Sequence, residues 1–349
     1  MIVKNEEKNL NRCLSSLCDL MDEVIIVDTG STDRTKEIAS QYTGLVYDFE
    51  WNQDFAAARN YAFSKASMEY IYTADADEVL DEINRERLRK LKEVLLPEVE
   101  LVQMKYVTKT GFNTVLNAKK EYRPKLYKRL RTFEWVDPIH ETVRLTPTVY
   151  DSEIEILHLS EDRHEKRDFS YFQISFDRNG YLSNNMLGMY AQELFLSGNS
   201  EDFLEAEKIF DPASRSCQDP LLRRKITCVL ARIRRLQKDF SSFLALILSD
   251  ISTAPTSEIC CEIGEYFFLE ENYSVALDWF YNAVYETEPI LDIQSSGDRP
   301  LYRMADCCEY LASESENGIF IHRELRDDYK EKAAAYRKAG DEWTLPEEN

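Results

Sequence analysis

Hydrophobic and polar positions alternate in two textures along the chain. Up to about residue 160, short apolar runs of strand length alternate with amphipathic helical stretches; beyond that point helical spacing is almost continuous. Met1-Ile2-Val3 reads as the end of a first strand, set so close to the first residue that the strand is expected to begin upstream of it. Leu10, Leu14, Leu17 and Met21 recur at helical spacing and predict a helix opened by Lys4-Asn5-Glu6-Glu7. Residues 23–28 form an apolar strand ending in Asp28, and Thr29-Gly30-Ser31-Thr32-Asp33 is a turn that offers Ser, Thr and Asp as caps for the next helix. Residues 45–47 are a third strand, 54–65 a helix with Phe55, Ala58, Ala62 and Phe63 on one face, and 70–73 a fourth strand. That alternation predicts a parallel α/β sheet with its ligand crevice at the carboxyl ends of the strands, where Asp28 and Asp75 both fall. A charged amphipathic helix over 83–94 follows. Strands at 101–108 and 121–129 flank a Lys109-Thr110-Gly111-Phe112-Asn113 turn, and a strand over 154–158 ends in His158.

Residues 163–178 are charged and read as a connector. Beyond them a loose repeat superposes Ala206, Phe243 and Ala276 at spacings of 37 and 33 residues. Those spacings lie close to the ~34 residues of a tetratricopeptide helix pair. Helical stretches at 189–194, 226–236 and 259–269 precede the anchors, with turns at Gly198-Asn199, Lys238-Asp239 and Glu271-Asn272. Stretches 300–313 and 326–338 read as a last pair capping the stack. A generic helical bundle is the plainer alternative, and Trp279 and Phe280 read as core in either case. A stack of helix pairs presents a concave surface suited to peptides or partner subunits. The expected organisation is a catalytic domain over 1–162, a helical connector over 163–185 and a helical domain over 186–349.

The 349 residues exceed one typical domain, and 44% hydrophobic with 31% charged residues describes an ordinary soluble chain. A formal charge of −21 excludes a nucleic-acid or anionic-membrane surface. A phosphorylated small ligand would then need a metal or a few placed cations. No stretch has the length and apolarity of a membrane span, and no signal-peptide pattern is present. The eight cysteines include the adjacent pairs Cys260-Cys261 and Cys307-Cys308 but no CxxC, and read as reduced thiols of a cytoplasmic protein.

Chemistry enters at residues 70–79, where an apolar run stops in Asp75-Ala76-Asp77-Glu78. Carboxylates this close repel unless solvent or a cation neutralises them, and at the carboxyl end of a strand they suit a hard divalent metal. An acidic loop or helix start that binds no metal has an equal claim.

Lys4-Asn5-Glu6-Glu7, Asp28-Thr29-Gly30-Ser31-Thr32-Asp33, Asp54-Phe55-Ala56-Ala57-Ala58-Arg59-Asn60 and Asp75-Ala76-Asp77-Glu78 resemble, in order and spacing, the successive motifs of family 2 glycosyltransferases. The resemblance covers roughly the first 160 residues. It implies the GT-A fold, a Rossmann-like, mostly parallel mixed sheet whose edge binds a nucleotide-sugar. By the same resemblance Asp75, Asp77 and His158 hold Mn²⁺ or Mg²⁺ against the diphosphate. Asp77 is the direct ligand, Asp75 bridges ribose and metal shell, and Glu78 is the most dispensable of the three. Asp28 would accept the uracil imide N–H, which no cation could do. Glu6 would bond a ribose hydroxyl beside Asn5, or else be a helix-start Glu favoured by the dipole. Arg59 would reach base or phosphate, with a surface ion pair to Asp54 as the alternative. Trp51 would wall the base pocket, although a buried core Trp is the commoner case.

Arg123-Pro124-Lys125-Leu126-Tyr127-Lys128-Arg129 resembles the family's R-L-F-R strand. Five of these seven are basic or Pro, and a solvated edge strand is preferred here to phosphate contact. Trp135-Val136-Asp137-Pro138-Ile139-His140-Glu141 is similar to a G-x-[IV]-H-E segment, with Pro138 where related sequences usually carry Gly. The resemblance places His140 at the donor and implies an inverting transfer with Glu141 as base and Asp137 in reserve. His158-Leu159-Ser160-Glu161 lacks the Gly-Tyr of the family's H-x-G-Y form, so His158 is either a further ligand or merely hydrogen-bonded. His164 and His322 read as surface residues.

The leading expectation is an inverting, metal-dependent transferase moving a sugar from a UDP-sugar to a peptide, protein or glycan acceptor. It resembles bacterial peptide and lipopolysaccharide glycosyltransferases with a tetratricopeptide-like C-terminal region. The helices favour a peptide or protein acceptor, or a homo-oligomer. One alternative is a non-catalytic scaffold with a vestigial nucleotide-binding domain. Another is a nucleotidyltransferase, which expects a Gly-rich phosphate loop where Lys4-Asn5-Glu6-Glu7 has no glycine.

Overall fold

The computed structural model describes residues 1–108, 120–129, 135–139, 142–143, 147–159, 167–251, 255–317 and 323–344. The chain divides into two compact units, Met1–Glu165 and Lys166–Asn349. The first joins mixed parallel and antiparallel sheets with flanking helices, as in the GT-A fold; the second is all helix.

In the first unit, β1 (Ile2–Val3), β2 (Ile26–Asp28) and β3 (Val46–Asp48) form a parallel sheet in that order. The crossovers contain α1 (Leu10–Leu17), continued by a 3₁₀ turn, and α2 (Thr35–Ala39). Helix α1 serves two cores. Leu10 and Leu14 pack with Val3 and Ile26, whereas Cys13 and Leu17 pack with Leu88, Met104 and Ile156. The helix starts later than its apolar spacing suggests, because residues 4–7 are spent on a loop. Asn5 is left-handed at φ 55°, Glu6 N–H donates to Thr35 Oγ1 at 2.7 Å, and Glu7 N–H to Asp33 Oδ2 at 3.1 Å. Helix α3 (Phe55–Lys65) is capped by Asp54, whose side chain accepts the Ala57 N–H at 2.9 Å.

The fourth strand departs from the expected parallel sheet. β4 (Tyr70–Tyr72) is the edge of a second, mixed sheet. That sheet contains β7 (Lys120–Lys128), β6 (Leu101–Thr108), β10 (Val149–His158) and β5 (Glu78–Val79), in the order β4-β7-β6-β10-β5. Three residues of apolar sequence make a strand without naming its partner. Here the partner is β7, with Ile71 opposite Tyr127 and Tyr72 opposite Leu126. Helix α4 (Glu82–Val94) belongs to the same core as the second sheet, through Leu88 and Leu91 with Val102, Met104 and Ile154. Trp135–Val136 (β8) pairs with Thr142–Val143 (β9).

The basic strand β7 is interior, not an edge. Its register shifts between Val102↔Leu126 and Gln103↔Pro124, which leaves Lys125 as the extra residue of a bulge. A bulge is also where an interior strand tolerates a proline. The edge reading rested on lysine and proline content, and each has a local reason to be inside.

In the second unit, α5 (Arg167–Asn179), α6 (Asn184–Ser197), α7 (Ser200–Ser216), α8 (Pro220–Leu236), α9 (Phe240–Ile251), α10 (Ser257–Leu269), α11 (Tyr273–Tyr285), α12 (Asp298–Asn317) and α13 (Arg323–Glu342) follow one another. From α7 to α9 and from α10 to α13 each helix packs on the next, and α6 on α8 and α8 on α10, so that the helices form a stacked array. The anchors Ala206, Phe243 and Ala276 are fully buried. Lys238 and Glu271, in two of the expected turns, take left-handed φ of 60° and 59°. Asn199 and Asp202 close a capping box at α7, and Pro220 follows its N-cap Asp219 at α8. Gly264 lets α10 and α11 approach, since a Cβ there would lie 2.7 Å from the Phe280 ring.

Candidate functional site

At the carboxyl end of β2, Asp28 is 2% exposed. Its Oδ2 accepts the N–H groups of Gly30 at 3.1 Å and Ser31 at 3.0 Å. Its Oδ1 is buried and has no hydrogen-bond partner among the described residues. A carboxyl oxygen without a donor is costly to bury, so this atom is a ready acceptor for a ligand N–H. Asn5 closes the same turn, its Oδ1 accepting the Thr32 N–H at 2.8 Å.

The acidic loop lies between β4 and β5. Glu78 N–H donates to the Asp75 carbonyl at 3.1 Å, Cys13 Sγ to the same carbonyl at 3.3 Å, and Leu159 N–H to the Asp77 carbonyl at 2.9 Å. Asp75 Oδ1 is 3.3 Å from Arg59 Nη2 and its Oδ2 3.7 Å from Lys125 Nζ. Burial raises the Asp75 carboxyl, but the Lys125 ammonium and Arg59 guanidinium outweigh it and hold it well below the usual range. The Asp75 side chain remains 41% exposed, so its ion pairs are screened and contribute little stability by themselves.

Asp77 Oδ2 is 2.9 Å from His158 Nε2. The His158 ring lies 5.0 Å from that of Tyr106, and the Arg123 guanidinium stands 4.0 Å from the Tyr106 centroid. Glu6 is pushed up, first by burial and then, against the Asn9 hydrogen bond, by Asp77, Asp33 and Asp75. Glu6, Asp75, Asp77 and His158 thus share one electrostatic neighbourhood, and Arg59, Arg123 and Lys125 are the cations around Asp75. In a chain of charge −21, these cations are what an anionic ligand requires.

Several expectations are corrected. Arg59 pairs with Asp75, whereas Asp54 is spent on the α3 cap. Trp51 is half-buried and edge-on to Phe55 at 4.7 Å, not a core residue. Glu78, read as dispensable, is 1% exposed and ion-paired with Lys125. Lys125 and Tyr106 were not singled out as functional; within the basic stretch 123–129 nothing in the sequence separates Lys125 from its neighbours.

Asp137 has φ 70°, unusual for a residue other than Gly, and precedes Pro138, whose carbonyl accepts the Phe55 N–H at 2.9 Å. Asn60 brackets the neighbouring Trp135 backbone at 3.0 and 2.9 Å, and Arg59 lies 5.1 Å from the Trp135 ring. His140, Glu141, His164 and His322, like the turn over 109–113, lie outside the described residues.

Among the described residues no three His, Cys, Asp or Glu side chains converge as a complete metal cage. The Asp77 carboxylate and His158 imidazole do stand side by side, a donor pair open to a divalent cation once ligand or water oxygens complete the shell. An apolar crevice of about 490 Å³, lined by Leu14, Leu17, Phe63, Tyr70 and Leu126, touches this constellation at Arg59. It includes none of Asp28, Asp77 and His158, so the polar chemistry lies outside this apolar space.

A family model described as glycosyl transferase family 2 matches residues 1–144. A TPR repeat-containing protein of Synechococcus elongatus is 46% identical over 80 residues, 23% of this chain and 20% of that protein. The SPbeta prophage-derived glycosyltransferase SunS of Bacillus subtilis is 36% identical over 97 residues, 27% of this chain and 23% of that protein. The chain therefore spans about a fifth of the length of these relatives. Glucosyl-3-phosphoglycerate synthase from Mycobacterium tuberculosis, solved with Mn²⁺, UDP-glucose and phosphoglyceric acid, superposes with 16% identity and a TM-score of 0.40, covering 52% of this chain and 79% of that one.

Proposed function

We infer, from the match of residues 1–144 to the glycosyl transferase family 2 model, that this chain transfers a sugar, with inversion, from a UDP-sugar to a peptide, protein or glycan acceptor. The observation that carries the donor half is the buried Asp28 Oδ1, without a hydrogen-bond partner among the described residues, in the same unit as an acidic loop ringed by Arg59, Arg123 and Lys125. An acceptor atom suits the imide N–H of uracil, and the cations suit a diphosphate.

In this reading Asn5 and Glu6 line the ribose side, Asp75 and Arg59 stand at ribose and diphosphate, and His140 belongs to the donor site. Asp77 and His158 would hold Mn²⁺ or Mg²⁺ with Asp75 in support, and the ion when bound neutralises the departing diphosphate. Glu141 takes the acceptor's proton, with Asp137 in reserve; a carboxylate suits that task when held within hydrogen-bond reach of the nucleophile. The helical unit supports a peptide or protein acceptor, or self-association, because stacked helix pairs offer an extended surface. No helix among the described residues is long and apolar enough to cross a membrane. The eight free cysteines agree with a cytoplasmic, reducing setting.

The test is binding followed by turnover. UDP with Mn²⁺ should raise Tm where ATP with Mn²⁺ does not, and Asp77→Ala should abolish transfer from a labelled UDP-sugar while leaving the fold intact. No shift with any nucleoside diphosphate sinks the proposal.

A further inference from the structure

We infer that Glu78 and Lys125 form a buried latch that positions the acidic loop for its ligand, a role that rests on the donor-site reading above. Both side chains are almost wholly buried, 1% and 6% exposed, and paired with each other. Charged groups occur at such depth when something specific holds them there.

Lys125 holds the acidic loop at three points. Its backbone carbonyl accepts the Thr73 N–H at 2.8 Å and the Thr73 hydroxyl at 3.3 Å, where β4 gives way to the loop. Its ammonium lies 3.7 Å from Asp75 Oδ2 and is bonded to Glu78 at the loop's far end. Glu78 completes the circuit, because its second carboxylate oxygen accepts the Asp75 N–H at 3.1 Å. It also stands opposite His158 in the β5–β10 register, so the latch adjoins the place where Asp77 meets His158. The bulge in β7 makes the arrangement possible, since an extra residue in one strand re-aims a side chain that regular pairing would direct elsewhere.

Stability alone does not account for the pair. A buried ion pair replaced by apolar groups of similar volume is commonly as stable as before. What the charged pair adds is a fixed separation between the backbone of Asp75 and the strand carrying His158. Partners that orient ligating side chains typically govern affinity 10- to 100-fold.

Three variants test this: Glu78→Gln, Lys125→Met, and Glu78→Leu combined with Lys125→Met. Each is assayed by calorimetric titration with UDP in Mn²⁺ and in EDTA, and by the electron paramagnetic resonance of bound Mn²⁺. The double variant, with no charge left unpaired, should keep the wild-type Tm and circular dichroism yet bind UDP in Mn²⁺ about 10- to 100-fold more weakly. Its affinity in EDTA should fall by a smaller factor, because Lys125 is also one of the cations facing the diphosphate, whereas Glu78→Gln should leave the EDTA affinity unchanged. Glu78→Gln still accepts the Asp75 N–H and should lose affinity in the same direction by a smaller factor, which keeps the test open where Lys125→Met alone does not fold. A folded double variant or a folded Glu78→Gln that binds UDP in Mn²⁺ as wild type does overturns the latch and leaves the donor-site reading standing. A wild-type chain that binds no UDP with or without Mn²⁺ overturns that reading, and the latch with it.

Discussion

Asp28→Asn tests the base-recognition argument at a single atom. The carboxylate already satisfies two backbone donors through Oδ2, while Oδ1 is buried and has no partner among the described residues. In the variant the amide oxygen should remain on the Gly30 and Ser31 N–H groups, which puts an NH₂ where the open acceptor stood. A charge-assisted hydrogen bond to the uracil imide is lost and a donor faces a donor. At about 1.5–3 kcal/mol for such a bond, UDP affinity should fall roughly 10- to 150-fold. Stability should not follow, because the change removes a buried charge and keeps the turn; Tm should stay within about 3 °C, the shift expected for ~1 kcal/mol in a unit of this size. Cytosine presents a lone pair where uracil presents the imide N–H, so the preference for UDP over CDP should shrink or reverse. Calorimetric titration of both nucleotides into both proteins measures this. An unchanged UDP affinity and UDP-to-CDP ratio in a folded variant would refute the assignment, and a collapse of Tm would show Asp28 to be a structural residue.

Three further outcomes probe the helical unit. Gly264→Ala drives a Cβ to 2.7 Å from the Phe280 ring, which is itself 1% exposed; overpacking of this kind costs about 1–3 kcal/mol and should appear as a lowered urea midpoint with unchanged slope. Glu262→Ala strips the acid from Arg232 and Arg235, paired to it at 2.5 and 2.6 Å. Breaking a buried pair from one side costs about 3–5 kcal/mol, and the lower end is expected because the arginines are 22% and 13% exposed. Glu258 is held above the ordinary carboxyl value of 4.5 by burial, which outweighs the N–H groups of Asp292, Leu291 and Ile290. The folded state therefore binds the proton more tightly than the unfolded one, and stability falls as pH rises from 4.5 through the folded value. Glu258→Gln removes this dependence and should gain on wild type by up to about 1.4 kcal/mol per pH unit across that window. Parallel stability curves from pH 4.5 upward would contradict it.

The helical half was legible because its information is local. Ala206, Phe243 and Ala276 carry their phase in their own neighbourhoods, and Lys238 and Glu271 fall in turns visible as breaks in the apolar spacing. In the first unit the ends of β2 and β4 were legible for the same reason. Their partners were not. Nothing near Tyr70 names Lys128 as its neighbour, and nothing near Glu78 announces a lysine 47 residues on. Glu78 closes a run of acids and so looked redundant, although its environment separates it from Asp75 and Asp77. For Arg59 the alternative to a ligand contact was its nearest acid in sequence, Asp54, while the fold pairs it with Asp75. Each of these misses is a long-range pairing, and β7, read as a strand over 121–129, was given an edge position because its lysines and proline do not announce the bulge that admits them to the interior.

The stacking of the second unit has a consequence for how it comes apart. Ion pairs between its helices join residues close along the chain: Arg234 with Glu207, Arg232 with Glu262 and Arg303 with Glu265, at separations of 27, 30 and 38 residues. Such an array has nearly additive energetics, each helix pair being held by its neighbours, and opening spreads from the termini inward. Amide protons of α8 and α10, flanked on both sides, would exchange last, and those of α13 early. Arg299, bonded to the Phe195 carbonyl 104 residues away at 3.4 Å, ties the array to itself across that gradient. Whatever engages α12 and α13 meets the part of the unit that yields most readily, and its binding energy would be felt as a stiffening that travels back along the stack.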